Sequence, residues 1–247
     1  MSTRRRQRAL VVGLLVFAAA SFHHESLEIV AAYAANHVQS ARTVEDRLQE
    51  FGDQARERLR LHFAAADVRY PGQRIRLVAL KDQRLLQLYA QAAEGNWLLI
   101  HTYPVRAASG RLGPKLRGGD QQVPEGIYRV TFLNPNSLYH VSLRLDYPNR
   151  FDRKMARADG RTQLGGDIMI HGKSVSIGCL AVGDNAAEEL FTLAADIGMQ
   201  SVRVIIAPTD FRQSSNATLP IEPVWLPQLY GELSEALADL PLRQPSD

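Results

Sequence analysis

One run of this chain carries the residues best suited to do chemistry: Ile168-Met-Ile-His-Gly-Lys-Ser-Val-Ser-Ile-Gly-Cys179. It holds the only cysteine of the protein, Cys179, and a histidine eight positions before it, His171. A free thiol is mostly protonated near neutral pH, and the thiolate is the nucleophile. An adjacent imidazole takes that proton and later delivers it to a leaving amine, which is the minimum equipment for cysteine-based acyl transfer. Gly178 lets the backbone approach the reacting carbonyl without a Cβ in the way. The N–H groups of Gly178 and Cys179 then offer an oxyanion hole. The imidazole also needs an acceptor on its second nitrogen to fix its tautomer. No carboxylate stands in the run, so the backbone carbonyl of Gly172 is the expected orienting group. A lone cysteine is by itself only a candidate nucleophile and packs equally well as a small hydrophobe. The imidazole and the glycines at both turns favour the catalytic pair.

These residues must be positioned by strands. Asp167 to His171 reads as one, with Met169 and His171 on the same face because side chains alternate. Gly172 ends it, and a hairpin-like return through Val175 to Cys179 is expected to bring the thiol back beside the imidazole. Further strands are expected over Arg74–Leu80, Leu85–Ala90, Trp97–Val105, Ile127–Phe132, Tyr139–Leu145 and Ser201–Ile206. Turn signals such as Tyr70-Pro71-Gly72, Glu94-Gly95-Asn96 and Asn134-Pro135-Asn136 separate them. In the strand from Tyr139, His140, Ser142 and Arg144 share the polar face. One helix interrupts the series, with Asn185 and Glu188 as a capping box and Gly198 as its stop. The fold class is therefore mainly β, a sandwich or partial barrel with few helices. Four segments are expected: 1–22 for targeting, 23–66 a helical extension outside the core, 67–210 the catalytic domain and 211–247 a C-terminal tail. Val44, Leu48, Phe51, Ala55 and Leu59 form the apolar stripe of the extension. The tail begins turn-rich, with Gln213-Ser-Ser-Asn216, and then forms a helix over Trp225–Leu240.

Arg4, Arg5, Arg6 and Arg8 precede an uncharged run, Ala9 to Phe22. That run has the length of a signal-peptide core, about 7–15 residues, and is short of the roughly 20 needed to span a membrane. A cleaved signal or an uncleaved N-terminal anchor both export the body to the periplasm, and membrane contact is expected only through this segment. Removing the four arginines of the first twenty residues turns the formal charge of +3 into −1. No basic stripe with interleaved aromatics remains, which argues against nucleic-acid binding. A structural zinc site wants about four Cys/His ligands in paired spacings; with one Cys and scattered His residues, no metal and no cofactor is expected.

His171-Gly172 followed by Ser176-x-Gly178-Cys179 resembles the signature of the L,D-transpeptidase catalytic domain, the YkuD family. Tyr103-Pro104, the run from Leu112 to Gly126, Tyr139-His-Val-Ser-Leu and Tyr147-Pro-Asn149 are similar to its YafK (DpaA) branch. The resemblance implies a YkuD-type β-sandwich, Cys179 as nucleophile, His171 as base and no cofactor. It implies a peptidoglycan stem peptide attacked at a bond following meso-diaminopimelate, through a thioester resolved by an amine or by water. Ser176, Tyr139, His140 and Lys173 are the candidate substrate contacts, and Asp120 is expected to shape a turn. The chain departs from the family at Ala181, where an Arg is usual, and in its short spacing between His and Cys. Arg106, Lys115, Lys173 and Arg203 are candidates to replace that cation. The departure favours hydrolysis of a diaminopimelate-linked amide, such as a link to an outer-membrane lipoprotein, over 3–3 cross-linking or lipoprotein attachment. A non-catalytic cell-wall-binding scaffold is the rival reading from another class.

Overall fold

A computed structural model describes residues 41–213 and 218–242. The expected targeting segment, the rest of the extension up to residue 40, and Ser214 to Asn216 of the tail lie outside the described residues. Nine strands form a single curled sheet: β1 (Ile75–Leu80), β2 (Leu85–Gln91), β3 (Trp97–Pro104), β4 (Ala107–Ala108), β5 (Gly126–Asn134), β6 (Ser142–Leu145), β7 (Met169–His171), β8 (Leu180–Ala181) and β9 (Val202–Ala207). Their spatial order is β3-β2-β1-β9-β5-β6-β7-β8-β4. The expected mainly β class holds, and its two leaves are continuous. β5 pairs with β9 through Gly126 to Arg129 and with β6 through Val130 to Asn134. A register shift between Val130 and Phe132 marks the change of partner, where an irregularity adds bend and twist to a strand.

Period-two alternation gives the first half of the sheet two buried faces. Leu77 and Ala79 of β1, Val204 and Ile206 of β9, and Leu86 and Leu88 of β2 enter the main core. Val78, Leu80, Tyr89, Ile205 and Ala207 point the other way into a second core. That second core is closed by a C-terminal helix whose Leu226, Leu229, Leu233 and Leu237 recur at helical spacing. It is the expected tail helix, trimmed to Leu226–Leu237.

The N-terminal helix corrects one expectation. Three consecutive pieces, α1 (Val44–Arg47), a π-type turn (Leu48–Gly52) and α2 (Asp53–Ala65), run along the domain. The apolar stripe is real, but Phe51, Ala55, Leu59 and Phe63 belong to the main core, so this helix is part of the domain rather than an extension outside it. The described residues from Thr43 onward belong to one compact unit. A short helix not anticipated from sequence, α3 (Arg150–Ala158), is capped reciprocally by Asn149 and Asp152. The helix after the Ile168–Cys179 run, α4 (Asp184–Ile197), starts from Gly183 without a side-chain cap, so the Asn185–Glu188 box is not formed. Glu188 instead pairs with Arg58 of α2 and contacts His140. The tail helix is α5 (Leu226–Leu237). No helix among the described residues is long and apolar enough to cross a membrane.

If α2 is integral, truncating its largest fully buried side chain must destabilise the domain. Phe63→Ala, at a site 1% exposed, is expected to cost about 3–5 kcal/mol in urea or guanidinium unfolding. A loss under ~1 kcal/mol would return the helix to the periphery.

Candidate active site

A parallel ladder puts the thiol and the imidazole on one face, which corrects the expected hairpin return. β7 and β8 run in the same direction, with Ile170 opposite Leu180 and His171 opposite Ala181. Only the segment from Gly172 to Cys179 connects them. Residues paired in register point to the same face, so His171 and Ala181 share one. Two residues back along each strand, Met169 and Cys179 fall on that face too. Cys179 is accordingly found at the start of β7: its Sγ donates to the Asp167 carbonyl at 3.6 Å and receives the backbone N–H of Met169. On the other side β6 sets Ser142 against His171 and Arg144 against Met169. The face thus has two rows, Ser142–His171–Ala181 and Arg144–Met169–Cys179, and Arg144 pairs with Asp167 at 3.1 Å.

His171 is 1% exposed and stacks on Tyr139 with ring centroids 4.5 Å apart. Its Nδ1 lies 2.6 Å from the Gly172 carbonyl. A carbonyl only accepts, so Nδ1 carries the proton and Nε2 is left with a free lone pair. Position 172 has room only for glycine: a Cβ there would sit 2.5 Å from Asp184 Oδ1 and 2.8 Å from the Tyr139 carbonyl. Burial lowers the His171 imidazole below its ordinary range, against the opposing pull of the Gly172 carbonyl. Burial likewise raises the Cys179 thiol; the Met169 N–H and the charge of Lys115 work against it, and Asp167 works with it. Both shifts favour the neutral forms, thiol and imidazole, over thiolate and imidazolium.

The turn before the thiol is braced by a residue that sequence reasoning missed. Gly178, at φ +113°, donates its N–H to Ser109 Oγ at 2.6 Å. This N–H is engaged by Ser109, so Gly178 serves as an oxyanion donor only where that bond opens. Ser109 in turn donates its hydroxyl to the Gln121 carbonyl at 2.7 Å and its N–H to Ser176 Oγ at 3.2 Å. Ser176 Oγ donates to the Cys179 carbonyl at 2.7 Å, so its hydroxyl is spent inside the turn. No local signal could have found Ser109, which stands 69 residues from Gly178.

The other expected contacts are placed as follows. Tyr139 lies against the imidazole. His140 precedes β6 in a left-handed conformation, φ +78°, and its Nε2 reaches Glu188 Oε1 at 2.9 Å. It faces α4, not the polar face that Ser142 and Arg144 share. Lys173 is held by Asp184, through its N–H at 2.8 Å and its Nζ at 2.6 Å. Asp120 accepts backbone N–H groups from Leu116, Arg117 and Gln122 and pairs with Lys115, which is the turn-shaping role expected of it. Among the four candidate cations, Lys115 is the one whose charge reaches the thiol. Arg106 lines a groove with Lys173, Asp184 and the stacked His62 and His101. Arg203 lies on β9, whose partners are β1 and β5 and which stands three strands from β7, so it is not placed to replace that cation.

The depressed imidazole makes a direct test. In an NMR titration, His171 is expected to titrate below 6.5, the ordinary value. The folded state then resists a proton that the unfolded state takes. The stability this group contributes is present above pH 6.5 and is lost as pH falls through the folded pKa. A midpoint above 6.5 would contradict the lowered imidazole.

Residues 73–206 match the family model of the L,D-transpeptidase catalytic domain, YkuD. Over 142 residues the chain is 38% identical to YafK of Escherichia coli (strain K12), named as an L,D-transpeptidase, covering 56% of this chain and 55% of that protein. The same figures hold for YafK of Escherichia coli O157:H7. The chain thus spans about half the length of these relatives. Among solved structures, the helical cell shape determining protein Pgp2 from Campylobacter jejuni matches with 20% identity and a TM-score of 0.46, over 64% of this chain and 57% of that one. Bd1075 of Bdellovibrio bacteriovorus matches with 22% identity and a TM-score of 0.40, over 56% of this chain and 48% of that one. Because the family match covers more than half of the sequence and contains both His171 and Cys179, the chain belongs to the L,D-transpeptidase catalytic domain (YkuD) family.

Proposed function

We propose that this protein is an exported cysteine enzyme of the periplasm that cleaves, with water as acceptor, an amide following meso-diaminopimelate in a peptidoglycan stem peptide. A link between peptidoglycan and an outer-membrane lipoprotein is such an amide. The observation that carries the reading is the shared face of His171 and Cys179, with Nδ1 fixed on the Gly172 carbonyl. Export rests on the four arginines and the uncharged run that follows them.

In the first step the S–C bond forms while the thiol proton passes to His171 Nε2. The C–N bond breaks as that proton moves to the departing amine, leaving a thioester on Cys179. Water then attacks the thioester, giving its proton to Nε2. The C–S bond breaks, and the sulfur recovers the proton. A neutral pair suits this route, because the base is free to accept when attack begins. Cys179 N–H is the donor next to the reacting carbon; Gly178 N–H joins it when Ser109 Oγ gives way to the developing oxyanion.

Water is favoured over an amine acceptor by Ala181. This side chain is fully buried in the ladder between Ala107 and His171, where the family's Arg would offer an acceptor carboxylate a charged fork. A second reading, transpeptidation to 3–3 cross-links or attachment of lipoprotein, draws support from Arg144, a half-exposed cation on the face of the thiol.

The test is to incubate purified protein with muropeptides, with and without a lipoprotein-derived peptide, and to weigh the products. Hydrolysis predicts a free peptide and a free stem carboxylate. Incorporation of a labelled D-amino acid would select transpeptidation. Cys179→Ala and His171→Ala are each expected to lower turnover by more than about 10⁴-fold. Equal turnover by Cys179→Ala would sink the mechanism, and no turnover by the wild type on any of these substrates would favour the scaffold.

A further inference from the structure

Three neighbouring strands align arginines across the sheet, away from the catalytic pair. In the parallel ladder of β1 and β9, Arg76 stands directly opposite Arg203. In the antiparallel ladder of β9 and β5, Arg203 stands directly opposite Arg129. All three point to the face that α5 covers further along the strands, since Val78, Ile205 and Ile127, two residues away, pack in the second core. Side chains paired this way have Cβ atoms about 4.5–5.5 Å apart, and like charges so opposed destabilise a sheet.

The ends of the row are neutralised. Arg76 pairs with Asp239 and lies over the Trp97 ring at 4.2 Å. Arg129 pairs with Asp146 at 3.3 Å. The middle is not: among the described residues, exposed Arg203 has no carboxylate partner, and neither has exposed Arg74. These two face a concave site of about 460 Å³ whose wall also includes Arg76, Trp97, Gln200 and Ser201. Two unpaired guanidiniums, with amide and hydroxyl donors beside them, match an oxyanion of charge near −2 and several acceptor oxygens. Phosphate carries about −1.5 to −2 at neutral pH, a carboxylate only −1, and the guanidinium fork fits phosphate bidentately.

We propose that this pocket binds a phosphate-bearing ligand, with Arg203 and Arg74 as its principal contacts. The repulsion built into the row is then relieved by the ligand rather than by a protein carboxylate. The phosphate can come from a soluble phosphorylated compound or from a lipid headgroup, and the experiment separates them.

Thermal unfolding of the full chain is followed against inorganic phosphate at constant ionic strength, with acetate as control. Co-sedimentation is measured with vesicles of phosphatidylcholine, with and without phosphatidic acid. Phosphate is expected to raise Tm in a saturable way, and acetate is not. Arg203→Gln and Arg74→Gln are each expected to weaken the response roughly tenfold or more. Arg203→Gln is also expected to raise Tm in the absence of phosphate, because it removes the repulsion. That last shift is opposite to the effect of a misfolded variant. A response to soluble phosphate assigns the soluble source. Binding only to phosphatidic acid vesicles, lost in Arg203→Gln, assigns the lipid. The proposal falls if acetate acts as strongly as phosphate, if Arg203→Gln responds like the wild type, or if neither phosphate nor vesicles bind. Turnover of muropeptides by Arg203→Gln is expected to be unchanged, so this outcome is independent of the catalytic reading.

Discussion

The parallel pairing of β7 with β8 is the constraint on which the site depends. Parallel strands ordinarily need a crossover of a dozen or more residues, and here Gly172 to Cys179 suffices. So short a connection must turn sharply, and it does so with Lys173 and Gly178 at positive φ. It also needs outside support, which comes from Asp184 at one end and Ser109 at the other. Once the connection is made, alternation alone puts imidazole and thiol on the same face. Glycine at 172 follows from the same compression, since the strand end, the Tyr139 carbonyl and Asp184 leave no space for a Cβ.

Burial then sets the chemistry. Both reactive groups are shifted toward their neutral forms, the imidazole down and the thiol up. Charged neighbours act on the thiol in opposite senses, Asp167 raising it and Lys115 lowering it, and each is itself paired, with Arg144 and with Asp120. The net field at the sulfur is therefore small, and desolvation wins. On the proposed reading, Cys179 is then a nucleophile that stays quiet until a substrate carbonyl is in place, its proton moving in the same step as attack.

How much of this could be read from the residues follows from the range of the interactions. The strands were legible where alternation and turn residues are local, as in β1, β2, β3 and β9. The candidate run Ile168–Cys179 could be singled out because its residue types are adjacent in sequence. α3 was hidden because its sequence, Arg150 to Ala158, is mostly charged and buries only Met155 and Ala156. β4 and β8 are two-residue strands with no period to detect. The direction of the return was hidden because a hairpin and a tight parallel loop share the same turn residues. His140 was misassigned to a strand face because its left-handed backbone and its bond to Glu188 are set by α4. Ser109, 69 residues from its partner Gly178, belongs to the same class of long-range fact, and so does the arginine row, which exists only once β9 is inserted between β1 and β5.

Ala181, where the family resemblance leads one to expect an Arg, is best understood from the far edge of the sheet. β4 closes the sheet by pairing Ala107 with Ala181 and Ala108 with Leu180. Small side chains let that edge strand lie directly beside the face that carries His171, and Ala181 is left with no exposed surface. A guanidinium in its place would have to displace β4 or be buried beside His171, and burying a charge costs several kcal/mol unless it is paired. The alanine and the edge strand thus require one another. On the proposed reading, what the closure removes is a charged grip on an acceptor rather than any part of the nucleophile. On the same reading the first half of acyl transfer stays intact, and the proposed thioester is resolved by whatever small nucleophile needs no grip, water being the one always present.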